Sequence, residues 1–133
     1  MTFMRHVALT GISRDVIEDL IRKRLRTFEL RSAHNIPVVL EAKIGEEIFI
    51  TDASRHDVAI GTAGVVARVR DKNISMIKVS HGMGNFYEER EIMSARIQLE
   101  LRAQMCKVRG IDDRGPGTAI TVETTEIAHK EGR

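Results

Sequence analysis

Aromatic side chains are scarce in this chain of 133 residues, with four Phe, one Tyr and no Trp. That scarcity disfavours a surface that reads nucleobases by stacking several of them on rings. Cysteine is nearly absent too: Cys106 stands alone, so no intrachain disulfide can form and a reducing, cytoplasmic compartment is expected. No run approaches the ~18 apolar residues of a membrane helix. The opening MTFMRHVALTG lacks the apolar core of a signal peptide, so no membrane partner is expected. A strong charge of one sign is also missing. The formal net charge is +2, and any anion-binding surface has to come from local clustering. Five histidines, at 6, 34, 56, 81 and 129, are scattered without ligand-type spacing near Cys106, so neither a metal nor another cofactor is expected.

What is present is the composition of one folded domain spanning residues 1–133, with 42% hydrophobic and 30% charged residues. VALTGI (7–12) reads as a strand. Ser13 then caps a helix whose apolar face is Val16, Ile17, Leu20 and Ile21 and whose last turn is basic. RTFELRS is extended. IPVVLEAKI (36–44) reads as a further strand, and Gly45 turns into the strand EEIFIT. GTAGVVARVR (61–70) alternates, DKN (71–73) suggests a turn into ISMIKVS, and HGMGN (81–85) suggests a glycine loop. EEREIM before position 94 suggests a helical turn. From Ala95 to Met105 apolar residues alternate with Arg96, Gln98, Glu100, Arg102 and Gln104. A period of two over eleven positions predicts a long strand with one buried face, although Leu, Ala, Glu and Arg favour helix intrinsically. DDRGPG is a loop and TAITVETTEI a final strand. Six or seven short strands with one or two helices predict a mainly β, α+β fold built as a small, partly open β-barrel.

Three stretches resemble a known family. Arg26, Thr27, Glu29 and Arg31 occupy an extended motif, Gly45 and Glu46 a glycine–acid turn before a strand, and Gly61, Gly64 and Val66 a strand rich in small residues. On these residues the segment from about 20 to 70 resembles ASCH-type domains of the PUA-like superfamily. The whole chain resembles an archaeal family of uncharacterised proteins. The resemblance implies a PUA-like barrel and, by analogy, the handling of RNA or nucleotides. Some ASCH-type proteins are small amidohydrolases acting on acylated cytidines through a Lys and a Thr of this motif. Arg26 and Glu29 stand at those places here, and an arginine that stays charged is a poor proton acceptor.

The candidate site follows from the clustering of cations. Arg22, Lys23, Arg24, Arg26 and Arg31 stand against Glu29, and such a patch binds phosphate by releasing counterions. Arg31 is suited to a phosphate or a base edge, with Glu29 orienting it; a structural ion pair explains the same two residues equally well. Arg68 and Arg70 share one strand face, Arg96 and Arg102 another. Gly82 and Gly84 could offer backbone N–H groups to a phosphate, with His81 beside them. The reading is a non-catalytic RNA- or nucleotide-binding module using Arg26, Thr27, Glu29, Arg31, Arg68, His81, Gly82 and Gly84. Two alternatives stay open: a hydrolase of a modified nucleoside with Glu29 or His81 as general base, and a protein-interaction subunit. The oligomeric state is not legible.

Overall fold

The alternation that begins at Ala95 is the spine of the molecule. In the computed structural model, which describes residues 2–115 and 117–126, it lies within one strand running from Phe86 to Asp112. Along this strand Ala95, Ile97, Leu99 and Leu101 are buried, as the period of two requires. Tertiary burial here outweighs the helical propensity of Leu, Glu and Arg.

In chain order the elements are β1 (Thr2–Leu9), α1 (Arg14–Lys23), β2 (Leu25–Leu30), α2 (Ile36–Glu41), β3 (Glu47–Ile50), a 3₁₀ turn (Arg55–Asp57), β4 (Ala63–Met83), β5 (Phe86–Asp112) and β6 (Thr121–Glu126). The strands form one sheet in the order β2-β5-β4-β3-β1-β6, and β5 returns to pair with β6. Strands β5, β4, β3, β1 and β6 therefore close a ring, and β2 is appended to the half of β5 that precedes the closure. One strand can serve both ends because it changes partner along its length: residues 95–100 pair with β2 and 107–112 with β6. Between them sits exposed Met105, with a left-handed φ of 59°, where the register of β4 against β5 shifts. Among the described residues the only parallel pairing is β1 with β3, through Ala8–Phe49 and Leu9–Ile50. The result is the small, partly barrel-like α+β fold that the strand count predicts.

Two apolar clusters occupy the two faces of the sheet. One lies beneath the helices and includes Leu20 of α1, Val38 and Val39 of α2, and Phe28, Ile48, Ile50, Ile97 and Leu99. The other draws Ala8, Phe49, Val66, Cys106 and Val122 from all five strands of the ring. Gly64 belongs to this second face: a Cβ there would strike Ile50 O and the Phe49 ring.

Five local expectations are corrected. The first strand covers Thr2–Leu9 rather than 7–12, and residues 10–12 lie outside it, with Gly11 in the left-handed region. Residues 36–41 are helix rather than the first half of a strand. Pro37 sits in the first turn, where its fixed φ suits a helix, and Ile36, Val38, Val39 and Ala42 are buried. The expected turn at 71–73 is continuous β4, where Asp71, Lys72 and Asn73 pair in register with Gln98, Ile97 and Arg96 just beyond a bulge at Arg70. Residues 88–93, the expected helical turn, are strand. The loop at 81–85 shrinks to two residues, Gly84 and Asn85, with Gly84 at φ 61°, as a tight hairpin turn requires. The last strand lies at 121–126, and the expected Ile127 falls outside the described residues, as does His129.

Candidate phosphate-binding groove

Among the described residues strand β2 has one neighbouring strand, β5, and its other edge is open. The Leu101 N–H donates to Arg24 O (2.9 Å), so the alternation of an antiparallel ladder directs the main-chain groups of Thr27 and Glu29 to that open edge. Alternation also sorts the side chains. Phe28 and Leu30 enter the core, while Leu25, Thr27, Glu29 and Arg31 are exposed.

A groove of about 510 Å³ follows this edge. Its walls are residues 26–32 on one side and Gly11, Ile12, Ser13, Val16 and Asn35 on the other. Ser13 caps α1 by accepting the Asp15 N–H (3.2 Å). Asn35, buried to 3% exposure, holds the far wall in place: its Oδ1 accepts the Thr10 N–H (3.1 Å) and its Nδ2 donates to Thr10 O (2.9 Å).

The electrostatics are set by two shared carboxylates. Asp19 on α1 meets Arg22 (2.9 Å), Lys23 (3.4 Å) and Arg26 (2.8 Å). The hydrogen bond from Arg22, joined by those from Lys23 and Arg26, holds the Asp19 carboxyl below its usual range against the opposing effect of desolvation. Glu29 meets Arg31 (3.4 Å) and Arg96 (3.8 Å). Five cations thus share two acids. Arg26 also lies over the Phe28 ring, 5.6 Å from its centre, which fixes the guanidinium along its apolar stem.

The structure therefore brings Arg26, Thr27, Glu29 and Arg31 to one concavity. It does not bring the others there. Arg68 is two strands away, in the row of Leu25 and Glu100, where it and Arg102 share Glu47 (3.6 and 3.4 Å). His81, Gly82 and Gly84 are at the tip of the β4–β5 hairpin. His81 pairs with Glu88 while Glu29 pairs with Arg96, so eight residues of β5, roughly 26 Å, separate them. Glu29 and His81 cannot act on one bond together.

Sequence reasoning missed Asp19, although its i+3 and i+4 spacing to Arg22 and Lys23 signals the contact. It also missed Asn35, for which no local signal exists. A second depression of about 640 Å³ opens beside β1, near buried His6, whose Nδ1 lies 3.1 Å from Glu47 O. Arg5 and Lys43 there face Glu41, Glu46 and Glu47, a lining with no excess of positive charge. Among the described residues no group of three or more His, Cys, Asp or Glu is placed to hold a metal ion, and no helix is long and apolar enough to cross a membrane.

A family model described as a protein of unknown function (DUF473) matches residues 4–122. An uncharacterised protein of Methanocaldococcus jannaschii is 37% identical over 98 residues, which cover 74% of this chain. The match spans 61% of that relative's own length. No solved structure matches.

Proposed function

The chain belongs to the DUF473 family, and from the groove along β2 we propose that it is a non-catalytic RNA-binding module holding a phosphodiester strand there. The observation that carries this reading is the sharing of Asp19 and Glu29 among Arg22, Lys23, Arg26, Arg31 and Arg96. A cation that shares its counter-ion gains more from a phosphate than one with a carboxylate of its own. Such contacts supply affinity through counterion release.

The open main-chain groups of Thr27 and Glu29 offer donors and acceptors to sugar hydroxyls or base edges, and modest selectivity follows from them. Phe28 is buried and already covered by Arg26, so recognition rests on backbone and shape rather than on stacked bases. The resemblance of the motif around Arg26–Arg31 to ASCH-type, PUA-like domains supports the same class of ligand by analogy.

The test is fluorescence anisotropy with bulk tRNA and a single-stranded oligonucleotide across a salt series. Binding should weaken steeply as salt rises, and Arg31→Ala should lower the log–log slope by about 0.7–0.9, the share of one phosphate contact. Absence of binding to either RNA at low salt would refute the proposal.

A further inference from the structure

Two bulges interrupt the pairing of β4 with β5, and each leaves an arginine as its unpaired residue. Arg102 falls between the pairs Val66–Ala103 and Ala67–Leu101, and Arg70 between Val69–Leu99 and Asp71–Gln98. Between the two bulges stands Arg68, paired with Glu47 of β3 and Glu100 of β5. A bulge gives up ladder pairing to re-aim a side chain, and bulges are over-represented beside functional sites.

These three guanidiniums are loosely held. Arg68 Nη2 and Arg102 Nε approach the same oxygen, Glu47 Oε2, at 3.6 and 3.4 Å, and Arg70 Nη1 approaches Glu100 Oε1 at 3.6 Å. Asp19 makes the contrast, for it accepts hydrogen bonds from Arg22 and Arg26 at 2.9 and 2.8 Å. The Nε atoms of Arg68 and Arg102 are buried and have no hydrogen-bond acceptor. Among the described residues only four buried side-chain atoms lack a partner, so two of them fall at this one place. The side chains themselves are 35% and 36% exposed, so a ligand can reach both guanidiniums from outside.

We propose that Arg68 and Arg102, with Arg70 beside them, hold the phosphate group of a small ligand. Two nitrogens that share one carboxylate oxygen at these distances are close enough for a single phosphate to bridge, each of its oxygens accepting from a different guanidinium. A buried guanidinium N–H without an acceptor is costly, and a bound oxyanion removes that cost. No hydrogen bond of these side chains has to break for the anion to enter.

The chemistry favours phosphate over a carboxylate. A carboxylate offers two oxygens in one plane, and Glu47 shows such a group facing both arginines while hydrogen-bonding neither. Phosphate oxygens point to the corners of a tetrahedron and so serve donors on separate strands. Three cations here face Glu47 and Glu100, so the cluster keeps an excess of positive charge. The site is independent of the groove: β4 is two strands from β2, and none of these arginines lines that concavity. Free phosphate and the terminal phosphate of a nucleotide present the same group.

Titration calorimetry of the full chain at low ionic strength tests it, with inorganic phosphate in one arm and a nucleoside 5′-monophosphate in the other. Saturable binding with a Kd of about 1 mM or tighter should appear in at least one arm, and the tighter arm identifies the source. Arg68→Gln and Arg102→Gln should each weaken it about tenfold or more, with circular dichroism confirming that both fold. Lys78→Gln, which removes the same charge elsewhere on β4, should leave it unchanged. Glu47→Gln should tighten binding, because the competing carboxylate is gone, and a gain cannot come from misfolding. No saturable binding in either arm would overturn the proposal. So would binding that survives both arginine substitutions, equal weakening by Lys78→Gln, or no gain in Glu47→Gln.

Discussion

Lys72 shows how much one side chain can hold. It reaches from β4 to the last turn of α2, and its Nζ donates to the carbonyls of Val39 (2.9 Å), Leu40 (3.3 Å) and Ala42 (2.6 Å). These are the groups a helix leaves unpaired at its C-terminus. Lys72→Met should cost about 2 kcal/mol, read from urea denaturation, since bonds to a charged donor are the stronger kind. Arg24 presents the opposite case. It ends α1 in the left-handed region at φ 70°, where glycine is cheaper. Arg24→Gly should therefore raise stability by about 1 kcal/mol, read from the same urea denaturation. At this scale the sequence was informative where neighbours are local. The Glu29–Arg31 pairing is legible from strand alternation, and the bond joining Asn35 to Thr10 is not, because it spans 25 residues.

Elements were legible where one period dominated. Residues 14–23 repeat their apolar positions at helical spacing and formed the expected helix, and 95–103 formed the expected strand with one buried face, while Met105, expected on that face, is exposed at the bulge. Residues 36–41 misled because an apolar, β-branched run lacks a period of its own, and Pro37 was the signal for a helix start. Within the hairpin beyond 71 the strand at 74–80 formed as expected, while 71–73 and 88–93 misled for a different reason. Its charges and glycines resemble those of loops, yet a ribbon standing apart from the core has little buried surface to impose alternation on its sequence. Where β4 meets β3, packing is unforgiving: Gly64→Ala would press a methyl group onto Ile50 O and the Phe49 ring. We expect it to cost about 1–3 kcal/mol in the same urea assay.

Across the whole molecule, acid is the natural probe. The Arg55 hydrogen bond to Asp113 (2.6 Å), with the Gly115 N–H, lowers the Asp113 carboxyl from 3.8 to about 2, and Arg55 itself is held by Thr118 O and Gly115 O. Asp19 is lowered as well, chiefly by Arg22. Both groups prefer the charged form when folded, so the unfolded chain binds more protons below their ordinary range. The contribution of Asp113 is complete above about pH 4 and is lost as pH falls toward 2, and that of Asp19 falls away in the same direction. Thermal melts across that window should show a falling midpoint, and Arg55→Met should flatten the part due to Asp113. The closure of the ring carries a consequence for any shortened chain. Strand β1 finds its long antiparallel partner in β6, more than a hundred residues further along the chain, and β6 must at the same moment dock on the far half of β5. A chain cut before Thr121 would leave β1 along an unfilled seam, so the ring closes only once β6 is present.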